Sequence, residues 1–151
     1  MSVQTFRIDA PAADVFAVLA DPNTYPQWVV GCDDIRAIDP TWPAAGSKFH
    51  HTVGAGPIKV KDNTKVTAVT EGTRLVLEGR ARPAGVVSIA FDLTPVVDGT
   101  ATDVTMSEEP VRGFARLVHN PVQDGLIHAR NHKTLQRLRD VVATRRGSPT
   151  A

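Results

Sequence analysis

Apolar and polar positions alternate with a two-residue period through most of the chain, and that period changes to a helical one in two places. Val3, Thr5 and Arg7 fall on one face and Phe6 and Ile8 on the other, which predicts a first strand over Val3–Ile8. Ala10-Pro11 closes it, and proline suits the first turn of a helix, where its missing N–H has no partner to lose. Val15, Phe16, Val18 and Leu19 then recur at helical spacing. Asp21-Pro22-Asn23 breaks that run and caps a second short helix carrying Tyr25, Trp28 and Val29. Six further strand-like segments follow, roughly Asp34–Ile38, Ser47–Val53, Ile58–Val69, Arg74–Arg82, Val86–Thr94 and Ala101–Glu108. Glycine and proline punctuate them at Pro40 to Gly46, Gly54-Ala55-Gly56-Pro57, Glu71-Gly72-Thr73, Pro83-Ala84-Gly85 and Asp98-Gly99, as hairpin turns require.

The last long segment is helical. Asn120 is a good N-cap, Pro121 fits the first position, and no proline occurs from there to about Arg145. Such a helix is about 35 Å long, at roughly 1.5 Å per residue. Its apolar stripe is Ile127, Leu135, Leu138 and Val142, with Leu126 and Val141 beside it. Asn131 sits between Ile127 and Leu135 at helical spacing from both, a polar residue on the face expected to be buried. Strands that follow one another without intervening helices imply an antiparallel meander, and one long amphipathic helix must cover it, so the fold class is α+β.

Length and charge narrow the picture. The 151 residues fit one domain, placed over 1–145, with residues 146–151 as a disordered tail. Net charge is +1, and the cluster Arg137, Arg139, Arg145 and Arg146 reads as a solvated helix end whose cations complement the dipole. No nucleic-acid partner is therefore expected. No apolar run is long enough for a membrane span, and the first residues lack the basic flank and apolar core of a signal peptide. The single Cys32 excludes an internal disulfide, so a cytoplasmic location and a monomer or homodimer are expected. Cys32 itself reads as an inert thiol.

Specific residues carry a family resemblance. Ala10-Pro11-Ala12-Ala13-Asp14-Val15-Phe16-Ala17-Val18-Leu19, followed by Asp21-Pro22-Asn23-Thr24-Tyr25-Pro26-Gln27-Trp28, resembles the N-terminal signature of the polyketide cyclase/dehydrase and lipid-transport group. So do His51-Thr52-Val53-Gly54-Ala55-Gly56-Pro57 and the closing Arg130-Asn131-His132-Lys133-Thr134-Leu135-Gln136-Arg137-Leu138. That group belongs to the START-like superfamily (Bet v 1-like, SRPBCC). The resemblance spans about Val3 to Val142. It implies a helix-grip fold: a curved seven-stranded antiparallel sheet, two short helices near the N-terminus and a long C-terminal helix. It also implies an apolar cavity between sheet and helix for a lipid, polyketide or isoprenoid-like ligand. It fixes no single activity, because members include carriers, cyclases and hydrolases.

Strand parity then assigns the inner face. Phe49, His51 and Val53 share one face, and Ile58, Val60, Asp62, Thr64 and Val66 another, opposite the solvated Lys59, Lys61, Asn63 and Lys65. Leu75 and Leu77, then Val87, Ile89, Phe91 and Leu93, then Val104, Met106 and Glu108 complete it. The polar inner residues are His51, Asp62 and Glu108, with Asn131 from the helix and His128 beside it. His51 as general base with Asp62 fixing its tautomer is the candidate catalytic pair, suited to taking a proton next to a carbonyl. Trp28, Phe49, Val60, Leu77, Phe91, Met106, Glu108, Ile127 and Asn131 are the candidate ligand contacts, with Trp28 and Tyr25 as a lid or as plain core. His50 and His51 point to opposite faces, and His128 with His132 lacks a third ligand, so neither metal nor cofactor is expected. Gly54-Ala55-Gly56 joins two strands and lacks the helix and lysine of a phosphate loop. Three readings follow: a hydrophobic-ligand binding protein, a polyketide cyclase/aromatase or dehydratase using His51, and a protein-interaction regulator such as a toxin–antitoxin partner.

Overall fold

The computed structural model describes residues 2–55, 57–81, 85–112 and 121–147. In chain order they form β1 (Ser2–Ile8), α1 (Ala12–Leu19), a single 3-10 turn (Pro22–Thr24), α2 (Tyr25–Trp28), β2 (Cys32–Ile38), β3 (Lys48–Ala55), β4 (Ile58–Thr70), β5 (Arg74–Ala81), β6 (Gly85–Val96), β7 (Ala101–Arg112) and α3 (Pro121–Gly147). The strands make one seven-stranded sheet in the order β1-β7-β6-β5-β4-β3-β2. Every neighbouring pair is antiparallel.

The meander β2 to β7 follows from its hairpin punctuation, and β1 closes on β7 because the two short helices carry the chain back across one face. β6 and β7 run past the expected ends at Thr94 and Glu108 and take in Pro95 and Pro110. A register shift between Val86 and Val87 skips Val111, so Pro110 sits beside a bulge where a ladder N–H is not required. Similar shifts occur in β2 and β4. Each bulge bends its strand and increases the twist.

The core lies on the inner face. Phe49, Val66, Leu75, Leu77, Phe91, Leu93, Val104 and Met106 are all buried there, as the two-residue alternation requires. α1 contributes Val15, Phe16, Val18 and Leu19, and α3 contributes Leu135, Leu138 and Val142. These α3 residues recur at three- and four-residue steps, the stripe of an amphipathic helix. Asn131 (2% exposed) and Thr134 extend the stripe toward the N-terminal half of the helix. Leu126 does not belong to it. It is 68% exposed, like Val122 at 74%, because the first turns of α3 carry these two side chains away from the core. The helix also continues through Arg146 and Gly147, past the expected end at Arg145, with Arg146 Nη1 3.7 Å from the Asp14 carboxylate. The proposed cap Asn120, the turn residues Gly56, Pro83 and Ala84, the strand end Arg82 and the tail over 148–151 lie outside the described residues.

Candidate functional site

Between the inner face of the sheet and the middle of α3 lies a cavity of about 190 Å³. Its apolar end is built by Trp28, Phe49, Leu77, Phe91 and Met106. The aromatic edges interlock: Tyr25 and Phe49 are 5.1 Å apart and Trp28 and Phe91 5.9 Å apart, both T-shaped. Tyr25 and Trp28 are fully packed rather than a lid over the mouth. The Tyr25 hydroxyl donates to the Leu19 carbonyl, and Trp28 Nε1 donates to Thr24 Oγ1 at 2.9 Å. Burial pushes the Tyr25 phenol far above its ordinary range.

The opposite end is polar and fully paired. Glu108 is 6% exposed on β7. Arg130 Nη2 donates to both of its carboxylate oxygens, at 2.6 and 2.7 Å, and Asn131 Nδ2 donates to Oε2 at 3.0 Å. Asn131 Oδ1 in turn lies 3.4 Å from Arg130 Nε. This satisfies Glu108 and Asn131, two of the four polar residues expected on the inner face, as burial demands. Arg130 is the residue that sequence reasoning missed. It flanks the apolar stripe and, with its side chain 43% exposed, reads as an ordinary solvated helix residue. The one available signal was the buried carboxylate on the preceding strand, β7, which needs a cation.

His51 lines the cavity at its other wall, 7% exposed. Register sets it directly opposite Asp62, but the ring bonds elsewhere: Nε2 lies 2.9 Å from Thr64 Oγ1. Nδ1 has no hydrogen-bond partner among the described residues. Asp62 is buried, its Oδ1 accepts from the Asn63 backbone N–H at 2.9 Å, and it is not part of the cavity wall. Arg36 ties the two strands together by donating to the backbone carbonyls of His51 and Asp62. Burial holds the His51 imidazole below its ordinary value, against the opposing pull of the Asp62 carboxylate and the Asn63 backbone, while Arg36 and His50 add to the lowering. Desolvation thus outweighs the pull of Asp62, and the ring is neutral at neutral pH.

A depressed histidine makes stability fall on acidification. Below the unfolded value of about 6.5 the unfolded chain takes up a proton that the folded chain does not, so the loss begins there and grows as pH falls toward the folded value. His51→Gln is expected to flatten that part of the profile, read from urea unfolding at pH 5.5 and 7.5. An unchanged slope would mean the imidazole is not held neutral.

Two further candidate contacts are placed elsewhere. Val60 is half-buried and does not line the cavity; among the described side chains of β4, Thr64 does. Ile127 is half-buried one turn of α3 before Asn131, and the cavity spans only Arg130 to Thr134 along that helix. The Cys32 thiol sits on the wall near the start of β2. Burial, and then Asp34 and Asp33, push it up to about 11. Its alkylation by iodoacetamide at pH 8 is expected to be on the order of a hundredfold slower than that of a free thiol. A rate near the free value would place Cys32 in open solvent.

A larger cleft of about 540 Å³ opens outside the sheet, between Asp21 to Gln27 and Arg137 to Arg145. Charged and polar residues dominate its lining, and Arg145 lies 3.8 Å from Asp21 across it. Ligand sites are mostly enclosed and apolar with a few polar anchors, a description that fits the inner cavity and not this cleft. Among the described residues no group of three His, Cys, Asp or Glu side chains is arranged to hold a metal ion. No described helix is long and apolar enough to cross a membrane.

With this geometry in hand, the comparisons with known proteins are specific. The family model described as polyketide cyclase / dehydrase and lipid transport matches residues 2–143. The chain belongs to that family. Among solved structures it is similar to a START superfamily protein from Mycobacterium smegmatis, with a TM-score of 0.71 and 16% identity over 94% of this chain and 96% of that one. It is similar to the Zhui aromatase/cyclase from Streptomyces sp. R1128, with a TM-score of 0.70 and 14% identity over 95% of this chain and 93% of that one. A conserved protein from Geobacillus kaustophilus gives a TM-score of 0.69 and 18% identity, covering 94% of each chain. At these identities the likeness is one of fold. No curated protein matches the chain significantly. For this member of the polyketide cyclase/dehydrase and lipid transport family, the seven-stranded sheet and the long C-terminal helix are therefore the family's START-like architecture.

Proposed function

We propose that this protein binds a hydrophobic small molecule in the cavity between sheet and helix, with residues 1–145 acting as the single binding unit. The observation that carries the reading is the pairing of an aromatic, enclosed end at Trp28, Phe49 and Phe91 with a polar end, Glu108–Arg130–Asn131, whose groups already satisfy one another. Apolar surface at one end supplies affinity through burial, and a fixed polar cluster at the other supplies orientation. The description of the family as cyclases, dehydrases and lipid transporters supports the same reading. The test is native mass spectrometry of freshly purified protein, followed by thermal-shift titration with apolar probes. A co-purified ligand or a concentration-dependent rise in Tm is expected. An interior that takes up no apolar probe would remove the proposal.

The position of a neutral imidazole in the cavity wall favours a second reading, proton transfer next to a carbonyl during a cyclisation or dehydration. His51 would accept the proton and Thr64 would hold the ring. Incubation with a poly-β-keto thioester, with products read by mass spectrometry, separates the two readings. Turnover lost in His51→Ala while probe binding survives supports catalysis. Turnover equal to that of the unaltered chain assigns His51 to the wall alone.

A further inference from the structure

One residue of the cavity wall is unexplained by the fold. Gly79 lies on β5, the central strand of the sheet, with the same inward parity as Leu75 and Leu77. Its neighbours in register are Thr64 on β4 and Val87 on β6, and Phe49 on β3 lies beyond Thr64. The four residues form one row across the middle of the concave face. Glycine inside a strand is unfavourable, because it adds backbone freedom to the unfolded chain and offers no side chain to pack. Nothing local requires it here. Gly79 is not in the left-handed region, and a Cβ added to it would meet Thr64 Oγ1 and Val87 Cγ2 at 3.8 Å each, ordinary contact distances. The backbone would accept alanine, so the missing side chain leaves space in the cavity and does nothing else in the fold.

Volume and charge then limit what fills that space. A cavity of about 190 Å³ is smaller than the roughly 300–1,000 Å³ that encloses a drug-sized ligand. It is slightly larger than the cavity of about 150 Å³ that accommodates one benzene ring. The charges of Glu108 and Arg130 cancel within the wall and His51 is neutral there, while Arg80 reaches the wall from an exposed position where solvent screens it, so a charged guest at the buried end would enter without a close counter-ion. The Glu108–Arg130–Asn131 cluster still has acceptor capacity on the carboxylate and further N–H groups on the guanidinium.

We propose that Gly79 sets the size of what the cavity admits, and that the ligand is an uncharged molecule of one ring bearing a hydroxyl or carbonyl oxygen that meets the Glu108–Arg130–Asn131 cluster. This rests on the cavity being a ligand site, as proposed above. Bulk at position 79 grows directly into the ring's place, between Thr64 and Val87.

The experiment is isothermal titration of the wild type, Gly79→Ala and Gly79→Leu with three probes: 4-hydroxyacetophenone, 4-hydroxybenzoate and palmitate. The wild type is expected to bind 4-hydroxyacetophenone, and the benzoate at least about tenfold more weakly. Gly79→Ala is expected to weaken 4-hydroxyacetophenone about fivefold, and Gly79→Leu to abolish its binding. Gly79→Ala should melt at or above the wild-type Tm, because the alanine limits the unfolded chain. It carries the test if the leucine variant does not fold. Equal affinity in all three proteins would overturn the role of Gly79. Tight palmitate binding with none of the single-ring probe would overturn the size class and leave the ligand site standing. Preference for the benzoate would overturn the charge argument. A wild type that takes up none of the three, and no other apolar probe, would remove the ligand site itself.

Discussion

Trp28→Ala is expected to lose about 3–5 kcal/mol of folding stability, the range for deleting a large buried aromatic. Trp28 is 0% exposed and sits where α2 meets the sheet, 4.8 Å from the Tyr25 ring and 5.9 Å from Phe91. Removing it takes away apolar contact on both sides and merges its volume with the existing cavity, which the surrounding strands cannot collapse to fill. A domain of this size holds about 5–15 kcal/mol in total, so the variant gives up a large share of its stability and should unfold at a clearly lower urea concentration. Trp28→Phe should lose less, about 1–2 kcal/mol. Thr24 Oγ1, which accepts from the indole N–H, keeps its own bonds to the carbonyls of Val18 and Asp21, so no donor is stranded. Urea unfolding followed by far-UV circular dichroism reads both. A loss below about 1 kcal/mol for Trp28→Ala would mean the indole is not part of the packed core.

Arg130→Met is the second large effect. It leaves the Glu108 carboxylate, 6% exposed, with Asn131 as the remaining side-chain donor among the described residues. Breaking a buried pair by removing one partner costs about 3–5 kcal/mol because a buried charge is left uncompensated. Arg130 is itself 43% exposed and solvent screens its side of the pair, so the loss is expected below that range, at about 2–3 kcal/mol. In the Glu108→Gln background the same substitution should cost little, since the amide carries no charge to compensate. A double-mutant cycle isolates the coupling, expected at about 1.5 kcal/mol or more. Coupling near zero would show that Glu108 is hydrated and that the polar end of the cavity is open.

The strands and their inward residues were legible because alternation is a direct record of which face meets water; the closure of β1 on β7 was not, because alternation does not say which strands are neighbours. His51, Asp62, Glu108 and Asn131 are all buried, where parity placed them. Parity says which way a side chain points but not how far along the strand the helix lies. That is why Val60 and Ile127 are displaced from the cavity while Thr64 belongs to it. Pairing was less legible than burial. His51 and Asp62 are register partners, yet the ring reaches Thr64 on the diagonal, a choice of rotamer and not of sequence spacing. Arg130 was hidden because a long side chain can start on a solvated flank and deliver its guanidinium to a buried carboxylate. Gly79 was hidden for the opposite reason: it offers no side chain to count, and its meaning is the volume it leaves empty.

The account depends on an accessible apolar space beneath α3, and xenon pressurisation of a crystal tests it most directly, because xenon enters apolar cavities and not packed cores. A xenon peak is expected in the inner cavity, against the apolar wall that includes Leu77, Phe91 and Met106, and absent from the outer cleft at Arg137 and Arg145. Density showing the cavity filled by its own side chains, with no xenon inside it, would contradict it.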